Sequence, residues 1–321
     1  MYKQILIYVI FIAILIVAFS GCVEIKNNPD NNPPLLNNVF INGKGNYSTI
    51  QKAIDNASNN DTLFVHSGTY YENIDINKSI ELIGNGRDNT IIDGNKSGDV
   101  IHVSANRTKI SGFTIQNGGD GLYDAGIYIH SNNVEINNNL IINSYHGIYL
   151  DRETQKNNVS NNVILNNLNG IYLVYSYYNN ISFNDINNNT YYGLYARDHS
   201  DYNMLWKNTF SRNNDGMRIK TSKYNKVFEN NIVNNYDKGI YVCCSSSNNL
   251  YYKNSILENE INAQDSYSNQ WNFNYVGNYW GDYTEKYPDA KDADGDGIWD
   301  IPYQISGGSN IDEFPLTEPY T

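Results

Sequence analysis

The chain has 321 residues, with 29 tyrosines, seven prolines, three cysteines and asparagine at about one position in six. A net charge of −12 and a pI near 4.8 exclude a nucleic-acid partner, because binding polyphosphate rests on a basic face that releases counterions. An apolar fraction of 40% argues against disorder, and an acidic surface rich in Asn and Tyr suits neutral polar partners such as glycans.

In chain order, Ile5 to Phe19 form an unbroken apolar run after Lys3. At about 15 residues it is short of the ~20 that span a bilayer and has the length of a signal h-region, so the chain is expected to be exported. Residues 18–22, Ala-Phe-Ser-Gly-Cys, resemble a lipoprotein signal. That resemblance implies lipidation of Cys22 and a tether to the outer face of the membrane; an uncleaved signal-anchor is the alternative. Residues 1–22 are therefore read as the leader. Residues 23–38, rich in Asn and Pro without apolar periodicity, are read as a flexible spacer.

The segment from Ser48 to Ala57 offers Ser or Thr as an N-cap and an apolar face at Ile50, Ala53, Ile54 and Ala57, which predicts a helix covering the open end of the fold. After it, Thr62 to Val65, Ile74 to Ile76, Ile80 to Ile83, Thr90 to Ile92 and Val100 to Val103 read as short strands. A repeat follows. GIYI at Gly126, GIYL at Gly147 and Gly170, GLYA at Gly193, GMRI at Gly216 and GIYV at Gly239 are spaced 21, 23, 23, 23 and 23 residues apart. Each is followed by an apolar residue, two variable ones, Asn, any residue and a second apolar one, with the Asn at 139, 162, 184, 208, 230 and 254. Both segments alternate at period two, so they are strands separated by polar turns.

The few side chains buried by one such coil do not offset the entropy of ordering it, so coils must stack. The expected fold is all-β: a right-handed, single-stranded parallel β-helix of the pectate-lyase-like kind over residues 39–276, with an N-terminal capping helix and a C-terminal cap over 277–321. In such a stack equivalent positions lie above one another at ~4.8 Å, and the repeated Asn becomes a ladder of side-chain amides.

The third residue of each GIY string is expected to face outward, aligning Tyr128, Tyr149, Tyr172, Tyr195 and Tyr241 in one exterior column interrupted by Arg218. Such a stripe offers sugar rings apolar faces edged by hydroxyls. The plainer reading is that tyrosine is a good strand residue that stacks on itself. Beyond the column, His130, Asp151-Arg152-Glu153, Arg197-Asp198-His199 and Lys220 share a turn position and are expected to converge. Asp151, Glu153, Arg197, Asp198 and His199 supply the two carboxylates of a glycosidase, or the base, acid and cation of a lyase or epimerase. Solvated turn charges that pair locally are the alternative. Cys243 and Cys244 should point to opposite sides of a strand, one into the core and one outward; with one further Cys in the leader they supply neither a disulfide framework nor zinc spacing.

Near the C-terminus, Asp292, Asp294, Asp296 and Asp300 stand at relative positions 1, 3, 5 and 9, with Gly297 at position 6. The spacing predicts a structural Ca²⁺ site to which the backbone carbonyl of Ile298 contributes. It resembles the DxDxDGxxD loops of dockerin-like and thrombospondin type 3 repeats, since position 12 is Tyr303 and not Glu. The loop is expected to pin Trp280 and Trp299 over the last coil.

The stretch from Thr49 to Gly86, the GIY repeats, "GNYWGDY" and "DADGDGIWDIPYQI" together resemble the NosD-type β-helix family, grouped with carbohydrate-binding proteins and sugar hydrolases. The opening segment is also similar to that of pectin-esterase and pectate-lyase β-helices. No lyase, esterase or epimerase signature is present as a block. The family resemblance implies a periplasmic role in copper-site maturation, which needs soft or imidazole ligands. Here His66, His102, His130, His146 and His199 are scattered, so copper is not expected. The expected function is an exported, membrane-anchored β-helix on the cell surface that binds polysaccharide or envelope glycan, with turnover open. Copper delivery in the manner of NosD, or a purely structural surface protein, are the alternatives.

Overall fold

Period-two alternation with β-branched residues at the inward positions produces strands of two to six residues, each too short to stand without neighbours. In the computed structural model, which describes residues 39–320, they wind into a parallel β-solenoid with three sheets. The leader, Cys22 and the spacer over 23–38 lie outside the described residues. Among the described residues no helix is long and apolar enough to cross a membrane.

One coil shows the plan. Asn169–Val174 belongs to a nine-stranded sheet carrying the GIY strings, Asn180–Ser182 to an eleven-stranded sheet, and Asp185–Asn187 to a ten-stranded one. The apolar-x-x-Asn-x-apolar signature is therefore two strands with a corner between them. Successive coils pair in parallel without slippage, as in Ile148↔Ile171↔Leu194↔Met217↔Ile240. The inward side chains of these columns are fully buried and form one continuous core.

Glycine opens each GIY strand because the coils approach closely there. A Cβ on Gly147 would lie 2.6 Å from the carbonyl oxygen of Gly170 and 2.6 Å from Ile164 Cγ2, so no larger residue fits without displacing its neighbours.

The asparagine ladder is present. Asn139, Asn162, Asn184, Asn208, Asn230 and Asn254 are each at most 2% exposed. The backbone N–H and side-chain amide of each donate to the Oδ1 of the next, and the last to Asn278, at 2.8–3.2 Å. The residue before each is left-handed: Asn138, Asn161, Phe183, Lys207, Glu229 and Lys253 have φ between 53° and 57°. A left-handed residue turns the chain, and the buried amide then satisfies the corner's backbone groups.

Two further ladders occupy the other corners, through Asn157, Asn179, Asn203, Asn225, Asn249 and Asn269, and through Asn167, Asn189, Asn213, Asn235 and Asn259. Each finishes near a carboxylate. Asn278 reaches Asp312, Asn269 reaches Asp265, and Asn259 reaches Asp282 by way of Asn262.

At the N-terminal end the helix is Ile50–Asn56, started by Thr49, whose side chain accepts from the N–H of Lys52 at 3.2 Å. Its buried face is Ile50, Ala53 and Ile54. Val39–Ile41 runs antiparallel to Thr62–Val65 and occupies the edge of the first coil, which keeps that edge from pairing with another chain. At the other end, Tyr279–Trp280 still pairs in parallel with the strand Ser255–Leu257, inside the segment read from sequence as the cap. Trp280 stacks on Tyr303 at 4.1 Å, and Trp299 on Tyr283 at 5.0 Å.

Candidate functional site

The outward column follows the sheet register: His102, Tyr128, Tyr149, Tyr172, Tyr195, Arg218 and Tyr241 are consecutive partners. The column faces outward, but its ring faces are not all open to solvent. Tyr149 is only 3% exposed and Tyr195 7%, because rings from neighbouring turns lean over them. Tyr149 stacks on Tyr172 at 5.5 Å, Tyr123 approaches its edge at 6.4 Å, and Tyr192 packs against Tyr195 at 4.7 Å. The result is a groove of about 670 Å³ walled by Tyr128, Tyr149, Tyr172, Tyr191, Tyr192 and Tyr195. Tyr241 lies outside its lining. Burial raises the phenol pKa of Tyr149, Tyr195 and Tyr128, so the walls stay neutral.

The charged turns converge only in part. Asp151, Arg152, Arg197 and Asp198 line the groove, whereas Glu153 and His199 are exposed outside it in left-handed conformations with φ of 65° and 62°. Left-handed backbone alone does not decide this, since Asp198 at φ 52° still lines the groove; Glu153 and His199 lie further along their turns, where sequence spacing does not fix the direction of the side chain. The carboxylates that remain are committed. Asp151 Oδ2 accepts from the Tyr128 hydroxyl at 2.6 Å and sits 3.0 Å from His130 Nδ1. Asp198 Oδ2 accepts from Arg197 Nε at 2.7 Å, and Arg197 also donates to the Tyr172 hydroxyl at 3.1 Å.

Among the lining residues not foreseen are His146, Asn169 and Tyr192, which partner one another in register. Strict alternation from the buried Ile171 places residue 169 on the core side. The corner breaks the alternation: the Cβ position of Gly170 faces Ile186 Cγ2, a core atom, and Asn169 turns to the groove. Position 169 is adjacent to the invariant glycine of the repeat, and that glycine is the signal that could have exposed the break.

Cys243 also departs from expectation. Cys243 is buried and Cys244 exposed, but Cys243 is not in the main core: it pairs with Lys220 on the outward face, one residue past the core residue Val242, and Cys244 turns away at φ 59°. Their sulfurs come within 3.0 Å.

A second depression, of about 720 Å³, lies along the neighbouring corner and is lined by Lys96, Gly118, Asp120, Asn143 and Leu168, among others. Its Asn167 is tied into a ladder, so it offers a ligand less chemistry than the tyrosine groove.

In the C-terminal loop, Asp292, Asp294 and Asp296 bring one carboxylate oxygen each within 4.8 Å of one another. Asp292 accepts from the N–H groups of Gly295 and Gly297 at 2.8 and 3.0 Å, which curls the loop. Asp300 accepts from the N–H of Ala293 at 3.2 Å, and the N–H of Ile298 donates to Asp296 at 2.9 Å.

A curated relative, the cell surface glycoprotein of Methanothermus fervidus, is 32% identical over 148 residues, 45% of this chain and 22% of that protein. The putative pectinesterase/pectinesterase inhibitor 22 of Arabidopsis thaliana is 44% identical over 66 residues, 18% of this chain and 12% of that protein. The chain thus spans less than a quarter of the length of either relative. Among solved structures, pectate lyase Pel9A superimposes with a TM-score of 0.58 at 14% identity, over 73% of this chain and 69% of that one, which shows a shared fold. The family described as periplasmic copper-binding protein (NosD) matches residues 54–285, and on that match, over a solenoid of this architecture, the chain belongs to the NosD family of right-handed β-helices.

Proposed function

We propose that this chain is a cell-surface β-helix that binds polysaccharide, or a glycan of the cell's own envelope, in the tyrosine groove. The observation that carries the reading is the groove itself: neutral aromatic walls edged by hydroxyls, of a volume that admits a few sugar units. The names of a cell surface glycoprotein among the relatives and of a pectate lyase among the structural neighbours support it. Binding is favoured over turnover. General acid–base chemistry needs a carboxyl group free to exchange a proton with substrate, and both Asp151 and Asp198 are held by protein donors. Export and an N-terminal lipid tether at Cys22 would place the groove outside the cell, and a Ca²⁺ ion held by Asp292, Asp294, Asp296, Asp300 and the carbonyl of Ile298 would brace the C-terminal end.

Affinity electrophoresis through gels containing soluble polysaccharides tests this reading. The wild type should be retarded by at least one polymer. Tyr172→Ala should lose most of that retardation, at ~0.5–1.5 kcal/mol per ring contact, with its circular dichroism unchanged. Migration of the wild type that is indifferent to every neutral and acidic polymer would remove the glycan-binding reading.

A further inference from the structure

The floor of the groove carries an unmet hydrogen-bond acceptor whose identity follows from its neighbours. His146 is 2% exposed, and its Nε2 lies 3.1 Å from the carbonyl oxygen of Leu122. A carbonyl oxygen only accepts, so Nε2 carries the hydrogen. Burial lowers the imidazole pKa to about 4, and the ring is therefore neutral, with a lone pair on Nδ1. The amide nitrogen of Asn169 stands 3.3 Å from that Nδ1 and donates to it. This contact fixes the orientation of the amide and leaves Oδ1 as the atom without a partner. Asn169 is 4% exposed, and its Oδ1 is buried with no donor in the protein. The other such atoms among the described residues, on Asn157, Arg218 and Tyr251, belong to residues outside the groove lining.

A buried acceptor left unpaired is costly to keep, and groups of this kind mark positions that a ligand completes. We propose that Asn169 Oδ1 accepts the hydrogen of a sugar hydroxyl, and that the groove thereby selects neutral, hydroxyl-rich glycans over uronates. The inference rests on the glycan-binding reading above and names the substrate class for the same site.

The charges around the groove agree with it. Asp151 and Asp198 balance Arg152 and Arg197, and Arg197 is already held by Asp198 and the Tyr172 hydroxyl. The carboxylate of a uronate would meet like partial charge at Oδ1, in a protein whose net charge is −12. Recognition by a buried polar group is also the more discriminating kind: a uronate carries a carboxylate where a neutral hexose carries its C6 hydroxyl, and that carboxylate leaves Oδ1 without a donor. Because Oδ1 is buried, access requires neighbouring side chains of the groove lining to move aside.

Isothermal titration of the full chain tests the proposal, with galactomannan, xyloglucan and soluble β-glucan as neutral probes and polygalacturonate and alginate as uronate probes. The wild type should bind at least one neutral polymer, and the uronates about tenfold more weakly or worse, a difference of ~1.4 kcal/mol. Asn169→Leu should weaken the neutral ligand by a similar factor. Because that variant leaves His146 without its donor, the double variant His146→Phe/Asn169→Leu serves as the folding control. It replaces both partners with apolar groups and should melt near the wild type while binding as weakly as the single variant. Preference of the wild type for uronates, or undiminished neutral binding by Asn169→Leu, would overturn the selection by Asn169 and leave the glycan reading standing. Absence of binding to all five polymers would overturn both.

Discussion

Two columns of the same solenoid use asparagine in opposite ways. At the corner, Asn162, Asn184 and Asn208 sit one above the other and each amide is consumed by the next coil. In the groove column the sequence changes at every coil, from His146 to Asn169 to Tyr192 to Asp215, and at Asn169 an oxygen is left over. A repeated residue finds an identical partner at the strand spacing and, except at Asn157, the first member of its ladder, closes its own hydrogen bonds. Variation within the column removes that partner and leaves chemistry facing the groove. The repeated corner asparagines thus hold the coils, while the groove adds to its repeated tyrosines a column whose residues do not repeat and whose hydrogen bonds are left open.

The comparison breaks first at Asn184. Its Oδ1 accepts from both the backbone and the side chain of Asn162, and its amide donates to Val159 and Asn208. Asn184→Ala leaves several buried groups without partners at ~1 to 3 kcal/mol each. Urea denaturation should show the largest loss of any single change considered, with glycan binding by the surviving folded protein intact. A midpoint equal to that of the wild type would mean that water replaces the amide at no cost and that the ladder is not what holds the coils.

The end of the same ladder sharpens the point, because there the repeat stops and a carboxylate takes over. Asp312 is fully buried, and its Oδ2 accepts from the backbone N–H of Asn278 at 2.7 Å and from Trp280 Nε1 at 2.9 Å. Burial raises its pKa to about 6, against the lowering effect of those donors. The folded state therefore holds a proton between pH 3.8 and about 6 that the unfolded chain releases. Its contribution to stability is full below pH 3.8 and is lost as the pH rises through about 6, amounting to ~3 kcal/mol for a shift of this size. Asp312→Asn removes the titration. Wild type minus variant, measured in urea at pH 4 and pH 7, should show the larger wild-type advantage at pH 4; a difference that does not change with pH would contradict the raised pKa.

The fold was legible because a solenoid writes its period into the chain. The spacing of the GIY strings located the nine-stranded sheet, and the signature Asn located one corner of each coil. Two ladders escaped notice because their asparagines, such as Asn179 and Asn189, lie in runs such as Asn179-Asn180 and Asn187-Asn188-Asn189, where neighbouring amides hide which one turns inward. The outward tyrosine column follows from alternation alone. Its burial does not, since the rings that cover it come from Tyr123 and Tyr192, on a turn and at a strand start where alternation gives no direction. Glu153 and His199 lie off the groove for the related reason that side-chain direction along a turn is not given by spacing; the left-handed Asp198, one residue earlier than His199, still reaches it.

The smallest expected effect belongs to the C-terminal loop, where four aspartates recur at intervals that repeat nowhere else in the chain. Asp292, Asp294 and Asp296 converge within 4.8 Å, an arrangement of like charges that a cation would relieve. Backbone N–H groups already share part of that load, as at Gly295 and Gly297, so the gain on binding an ion should be modest. Extracellular sites of this kind work at ~10⁻⁴ to 10⁻³ M, and at ten times such a dissociation constant the stabilisation is ~1.4 kcal/mol. The Trp299–Tyr283 stack beside the loop gives an optical report. Added Ca²⁺ should raise the melting temperature of the wild type by a few degrees and change its tryptophan emission, whereas Asp294→Asn/Asp296→Asn should respond to neither Ca²⁺ nor chelator. Because the groove is built from coils distant in sequence from this loop, glycan affinity should be the same with and without the ion. A wild-type melt insensitive to millimolar Ca²⁺ would leave the aspartates as a solvated turn. Loss of glycan binding on chelation would instead show that recognition depends on the cap and is not confined to the groove coils.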